Sequence, residues 1–123
     1  MHVERLHHVQ LAIPEGGEQR AREFYQGVLG IPEVPKPAGS ARRGGCWFER
    51  GELRIHVGVE GDFRPARKAH PALLVSDLRA LAAALRAAGY PCREDQPLGD
   101  SLRMFIEDPF GNRIELLEST TPA

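Results

Sequence analysis

The sequence predicts an α+β fold made of two βαβββ modules. Two observations support this prediction. The order strand, helix, strands occurs twice along the 123 residues, and corresponding strands are separated by similar lengths. Positions 8 and 70 are 62 residues apart, and positions 56 and 115 are 59 apart, as expected for a duplication with small loop differences. We expect two curved mixed sheets that form a shared cavity and carry helices on their outer faces.

The first module is predicted to span residues 1–60. Apolar and polar residues alternate over 6–13, which is typical of a half-buried strand. Apolar residues then recur at helical spacing over 21–29, before a glycine that ends the helix. The remaining predicted strands are a short one at 31–34 and two longer ones at 46–50 and 52–59, joined at Gly51.

The second module, residues 70–123, repeats this order after a linker at 61–69. Ser76 and Asp77 form a good N-cap pair in front of a helix with an apolar stripe. The predicted elements are a strand at 70–75, the helix at 78–88, and strands at 102–107 and 112–118 around a tight turn at 108–111. The whole chain, 1–123, is therefore expected to form a single domain of two modules.

Four polar side chains fall on strand faces opposite the apolar ones. They are His8, His56, His70 and Glu115. Because successive strand residues point to opposite faces, the faces that do not pack on the helices would turn these residues toward the cavity. Three imidazoles and one carboxylate suit a divalent ion such as Zn²⁺, Fe²⁺, Ni²⁺ or Mn²⁺, with open positions for water or substrate.

Other residues are predicted to point into the same cavity or to take part in its chemistry. Gln10 and Arg54 are predicted to shape a substrate pocket, while His7 has core-side parity. Glu115 is also the candidate catalytic residue, since a carboxylate beside a metal is well placed to move a proton. Cys46 and Cys92 lie far apart and are predicted to be small, mostly buried residues without a disulfide.

The composition excludes several classes of partner. The formal net charge is −1, with both signs scattered along the chain, which argues against nucleic acid binding. No apolar stretch approaches the roughly 20 residues of a membrane span, and the N-terminus lacks a signal-peptide pattern. We therefore expect a cytoplasmic protein that binds a small molecule.

Four segments together resemble the vicinal oxygen chelate superfamily: HVQLAI from His8, FYQGVLG from Phe24, HPALLVSDL from His70, and EDPFGNRIELLE from Glu107. This superfamily includes glyoxalase I, fosfomycin-resistance proteins, methylmalonyl-CoA epimerase, extradiol dioxygenases and bleomycin-resistance proteins. The resemblance implies metal ligands at the four positions already selected by strand parity. It also implies a homodimer and a substrate that chelates the metal through two neighbouring oxygens.

The resemblance does not decide which member of the superfamily the chain corresponds to. Lyase, isomerase, thiol transferase and dioxygenase reactions are all compatible with it. Glyoxalase I typically has a carboxylate where this chain has His56, and fosfomycin transferases have a threonine where it has Gln10. The epimerase has a glutamine at the second metal position, and the dioxygenases use two histidines and a glutamate. The alternatives are a metal-free small-molecule or antibiotic-sequestering protein of the bleomycin-resistance type, and a subunit without chemistry.

Overall fold

The computed structural model describes residues 1–119 and divides into two compact units, one of Met1–Arg64 and one that begins at Pro65. Each unit contains one four-stranded mixed sheet and one helical segment after its first strand. The predicted α+β class and the repeated module are therefore confirmed. No helix within residues 1–119 is long and apolar enough to cross a membrane.

The first unit has the strand order β1-β4-β3-β2, with β1 parallel to β4 and the other pairs antiparallel. Its elements are β1 (Val9–Ile13), α1 (Glu18–Ala21), a π-helical segment (Arg22–Gln26), β2 (Glu33–Val34), a 3₁₀ turn (Ala41–Arg43), β3 (Cys46–Arg50) and β4 (Leu53–Val59). The first helical segment thus begins and ends three residues earlier than predicted, and its second part is π-helical. The π-helical segment contains two adjacent rings, Phe24 and Tyr25, that are both fully buried.

The second unit has the equivalent strand order β5-β8-β7-β6, again with one parallel pair. Its elements are β5 (Ala72–Val75), α2 (Leu78–Ala87), β6 (Arg93–Leu98), β7 (Ser101–Glu107) and β8 (Arg113–Glu118). The Asp77 carboxylate accepts a hydrogen bond from the Ala80 backbone N–H at 3.1 Å and caps α2. Only one residue of the predicted cap pair therefore makes this contact.

Burial alternates along the edge strand β1, whereas in the central strands β4 and β8 the polar residue between two buried apolar ones is buried too. In β1, Leu11 and Ile13 are buried, whereas Gln10 is exposed and Ala12, between the two buried residues, is half-buried. Ile114 and Leu116 of β8 are fully buried as well. Helical segments pack on these sheets, with α2 against β8 and the π-helical segment against β3. The side chains between the apolar ones are thus directed away from the helices.

Three features differ from the sequence prediction. The strand β6 was not predicted, because its sequence REDQPL has no apolar alternation and contains a proline; it is an edge strand, paired only with β7. The strands β1 and β5 begin later than predicted, so His8 and His70 lie just before them. Cys92 is half-buried, although Cys46 is fully buried as predicted, and both thiols are free.

The turn between β7 and β8 is held by a network of hydrogen bonds. The Asp108 carboxylate accepts hydrogen bonds from the backbone N–H groups of Phe110 and Asn112, each at 2.9 Å. The Asn112 side-chain oxygen accepts from the Ala66 N–H at 2.9 Å, and the Arg113 N–H donates to the Ala66 carbonyl at 2.8 Å. This turn therefore holds the segment that leads into β5.

Candidate functional site

His56 is the centre of the polar face in the first unit. It lies in β4, directly opposite Trp47 of β3, and is 3% exposed. The rings of His56 and Trp47 stack with centroids 4.0 Å apart, and the His8 ring covers the other side at 4.3 Å. The structure thus brings together two of the four predicted metal ligands, with an aromatic ring that fixes the plane of one of them.

A carboxylate that the sequence analysis missed orients the His56 ring. The Nε2 atom of His56 lies 2.6 Å from a carboxylate oxygen of Glu49. Burial lowers the pKa of the His56 imidazole, and the hydrogen bond to Glu49, which acts in the opposite direction, does not cancel this effect. A neutral ring that donates from Nε2 to Glu49 keeps Nδ1 as its unprotonated nitrogen. Glu49 shares the face of Trp47, so strand parity places it on the polar face of β3, and the pairing of β3 with β4 brings it to His56.

His8 is exposed and lies next to a second histidine. Its Nδ1 is 3.0 Å from Nδ1 of His7, so one of these two nitrogens carries the proton. The core-side assignment of His7 is wrong, because His7 is exposed. The reason is that β1 begins only at Val9, and strand alternation does not extend to the residues before it.

His70 and Glu115 form the corresponding pair in the second unit. The Nδ1 atom of His70 lies 2.9 Å from the Lys68 carbonyl oxygen, which can only accept, so Nδ1 carries a proton. The Nε2 atom lies 2.9 Å from a carboxylate oxygen of Glu115. This pair therefore presents one ring nitrogen and one carboxylate oxygen toward each other.

Glu115 is held from several sides. It lies in β8 between Ala72 of β5 and Phe105 of β7, and is 6% exposed. Its second carboxylate oxygen is 3.7 Å from the Arg103 guanidinium. This buried carboxylate thus has an imidazole on one oxygen and a guanidinium near the other.

The two predicted substrate-binding residues lie in different places. Gln10 pairs with His56 in the register of β1 and β4, and it lines a cavity of about 180 Å³ together with Trp47. Its amide lies so close to Gly58 that a Cβ there would be 2.7 Å from the amide nitrogen. Arg54 instead donates to the His7 carbonyl at 3.1 Å and lines a separate cleft.

The donor chemistry of these pairs fits a divalent metal. Metal-binding histidines usually donate their second N–H to a carboxylate or a backbone carbonyl, which fixes the tautomer. Glu49 is placed to do this for His56, and the Lys68 carbonyl does it for His70. Within residues 1–119 the four candidates appear as two pairs, and no group of three or more His, Cys, Asp and Glu is gathered for an ion.

Comparison with known proteins identifies the family. The model of the Glyoxalase/Bleomycin resistance protein/Dioxygenase superfamily matches residues 5–116. The chain belongs to this superfamily. A crystal structure of a putative glyoxalase family protein from Bacillus anthracis is 42% identical, covers 98% of each chain, and superposes with a TM-score of 0.91. The predicted resemblance is therefore confirmed, and a comparison with curated proteins finds no match.

Two more distant superfamily structures have the same fold and different described roles. The fosfomycin resistance protein FosX from Listeria monocytogenes is 15% identical over 97% of this chain and 96% of its own, with a TM-score of 0.77. The antibiotic binding protein TnmS3 from Streptomyces sp. CB03234 is 18% identical over 97% and 100%, with a TM-score of 0.73. At these identities the similarity shows the fold alone.

Proposed function

We propose that this superfamily member is a metal-dependent enzyme that chelates two neighbouring oxygens of a small substrate. The observation that carries the proposal is the orientation of His70. Its Nδ1 proton is committed to the Lys68 carbonyl, so its Nε2 and the Glu115 carboxylate face each other as two ligand atoms 2.9 Å apart. Adjacent ligands of an ion with bonds of about 2.1 Å are separated by about 3 Å when the bonds are at right angles.

The proposed ligands are His8, His56, His70 and Glu115, with Zn²⁺, Fe²⁺, Ni²⁺ or Mn²⁺ as the candidate ions. His56 supports this set because burial favours its neutral form, which is the form that binds a metal. Glu49 is then a positioning residue that fixes the ring through Nε2. The stacked Trp47 prevents the same ring from rotating out of its plane.

A metal in this set supplies Lewis-acid stabilisation of negative charge on a substrate oxygen. Glu115 is the proposed catalytic residue, which takes or returns a proton at its carboxylate oxygens. The Glu115 oxygen Oε1 lies 2.9 Å from Nε2 of His70, and Arg103 is near Oε2. Gln10 offers an amide donor and acceptor beside His56, and Arg54 offers a guanidinium from its own cleft; both are proposed to bind substrate.

The alternative is a metal-free protein that binds or sequesters a small molecule. One observation favours it: Nε2 of His70 and the Glu115 carboxylate already form a direct hydrogen-bonded pair at 2.9 Å. The role described for TnmS3, antibiotic binding, is the relevant precedent within the fold. Metal content separates this function from the enzymatic one.

The decisive experiment is elemental analysis of protein purified without chelator, followed by titration with Zn²⁺, Ni²⁺, Mn²⁺ and anaerobic Fe²⁺. We expect about one ion per chain and a rise in melting temperature, since a ligand that binds only the native state stabilises it. His70→Ala and Glu115→Gln should lose the ion, whereas His2→Ala, which removes an exposed histidine, should keep it. A stoichiometry near zero without stabilisation would support sequestration instead.

Activity requires a separate screen across the superfamily chemistries. Methylglyoxal with glutathione, fosfomycin with thiols, a 2-methyl-branched acyl-CoA and catechols cover lyase, thiol transfer, isomerase and dioxygenase reactions. We expect turnover with one class, lost in Glu115→Gln. Equal binding of one ligand to metal-loaded and metal-free protein, with no turnover in any class, would favour the alternative.

We also propose a cytoplasmic homodimer. The superfamily resemblance supports the dimer, and a partner chain would cover exposed apolar side chains such as Leu6 and Leu74, each 75% exposed. Two free cysteines and no disulfide suit a reducing compartment. Light scattering at micromolar concentration should give twice the chain mass, and a monomer would reject the dimer. Cell fractionation tests the location.

A further inference from the structure

Three arginines surround one phenylalanine on the polar face of the second unit. The guanidinium carbon of Arg113 lies 4.1 Å from the centre of the Phe105 ring, and those of Arg93 and Arg103 lie 5.5 Å from it. Strand pairing explains the cluster, because Arg93 of β6 is directly opposite Phe105 of β7. Of the three arginines, the proposed function involves Arg103 alone, which lies near the Glu115 carboxylate.

The cluster borders a cavity of about 640 Å³, within the usual range for small-molecule sites. Its charged lining consists of Arg67, Arg93, Arg113 and a single carboxylate, Glu107. Phe105 and Ile106 contribute apolar surface. The cavity thus combines excess positive charge with an apolar wall.

Most of this positive charge is not neutralised by the protein. Within residues 1–119, neither Arg67 nor Arg113 makes an ion pair with a carboxylate. The contact of Arg93 with Asp95 is long, at 4.0 Å, and the Arg93 side chain is 67% exposed. Such a pair contributes little, so these guanidiniums are available to a ligand.

Phe105 connects this cavity to the His70 and Glu115 pair. Phe105 is directly opposite Glu115 in the pairing of β7 and β8, and the ring of His70 contacts the Phe105 ring edge-on at 5.6 Å. A ligand held by the arginines would therefore lie against Phe105, the side chain that links the cavity to the carboxylate to which we assign proton transfer.

We propose that this cavity binds the anionic group of the substrate, a carboxylate or a phosphate-type oxyanion, with the apolar part of the substrate against Phe105 and Ile106. The guanidinium fork matches two oxygens of such a group, and a lysine would not reproduce this geometry. This inference rests on the proposed function, which it deepens by defining the substrate as a small anion. Neutral substrates are excluded by it.

Calorimetric titration with three probes tests the site: phenylphosphonate, benzoate and neutral benzamide. The titrations are run on metal-loaded protein and on protein treated with a chelator. We expect one or both anions to bind in both preparations, benzamide to bind at least tenfold more weakly, and added salt to weaken the anions. Comparison of phenylphosphonate with benzoate identifies the preferred oxyanion.

Substitutions of the arginines test whether they bind the anion. Arg113→Gln and Arg93→Gln should each weaken the preferred anion about tenfold or more, since hydrogen bonds to charged groups contribute at that level. Arg113→Lys should recover only part of the affinity, and Arg79→Gln on the exposed side of α2 should change nothing. Circular dichroism verifies that each variant is folded, and Arg93 is exposed enough that its replacement leaves the core unchanged.

Two results would overturn the proposal: benzamide binding as tightly as benzoate, or both glutamine variants binding the preferred anion like the wild type. Failure of the metal titration does not affect this test, because the anion is also measured without metal. Conversely, metal binding with no anion binding in either preparation would reject this site and leave the proposed enzyme in place.

Discussion

The two units carry different chemistry at one equivalent position. In the first unit the central strand β4 presents His56 opposite Trp47, and in the second β8 presents Glu115 opposite Phe105. The imidazole is held by stacked rings on both faces, whereas the carboxylate is held by His70 and Arg103. The repeated sheet therefore fixes where a functional side chain lies, and the neighbouring strand determines which chemical group is stable there.

The two units also differ in the charged side chains that surround His56 and Glu115. Beside His56 the third strand contributes the carboxylate of Glu49, which is compatible with a ring that donates a proton. Beside Glu115 the equivalent strand contributes Arg103, and the edge strand adds Arg93. The first unit is thus suited to orient a ligand atom, and the second to attract an anion.

The largest expected effect tests whether the two cores are equivalent. Ile55 of β4 and Ile114 of β8 are buried beside His56 and Glu115, so Ile55→Ala and Ile114→Ala should each lower the free energy of unfolding by about 2–5 kcal/mol. Urea denaturation measures both. Val3→Ala, at an exposed position, should stay within about 0.5 kcal/mol. If only one of the two isoleucine substitutions destabilised the protein, the two cores would not be equivalent.

A second prediction concerns the alkaline stability of the first unit. Burial raises the pKa of the Cys46 thiol from 9.0 to about 11. Because the folded state holds this proton more tightly, the stabilisation is complete below pH 9 and is lost as the pH rises toward 11, by at most about 3 kcal/mol. Urea denaturation from pH 7 to pH 11 should show a smaller loss in Cys46→Ala than in the wild type. Parallel curves would contradict the burial of this thiol.

A third prediction separates a positioning residue from a ligand. If Glu49 fixes the tautomer of His56, Glu49→Gln should weaken metal binding by about 10–100-fold without removing the site. His56→Ala should have the larger effect, and metal titration by calorimetry compares them. Glu94→Gln, an exposed substitution in β6, is the matched control. If Glu49→Gln bound the metal with unchanged affinity, the contact of Glu49 with the His56 ring would have no role in metal binding.

Much of this arrangement could be predicted from the sequence because it follows from strand parity. The alternation of apolar residues around His56 and Glu115 correctly assigned both to the face opposite the helices, and the duplication of elements was correct. The assignment of His7 to the core failed because parity was extended past the start of a strand. The use of His8, His56, His70 and Glu115 as one ligand set stays a prediction.

Contacts that depend on pairing between strands were not predictable in the same way. The edge strand Arg93–Leu98 has a polar sequence whose conformation is fixed only by hydrogen bonds to β7, so no local pattern revealed it. Without that strand, Arg93 could not be placed beside Phe105. The approach of Glu49 to His56 likewise required the register of β3 with β4, which periodicity alone does not give.

The smallest expected effect compares the starts of the two helices. At α1 the N-cap residue is Gly17, which makes no side-chain hydrogen bond, whereas at α2 the Asp77 carboxylate accepts from the Ala80 N–H at 3.1 Å. Asp77→Ala should therefore cost about 1 kcal/mol of unfolding free energy, and Asp77→Asn should restore most of it, because asparagine is an equally good cap. Ser76→Ala, next to the cap, should change stability by less than about 0.5 kcal/mol. Thermal and urea denaturation of the three variants measure these differences. Equal losses in Ser76→Ala and Asp77→Ala would mean that both residues of the predicted pair contribute to the cap.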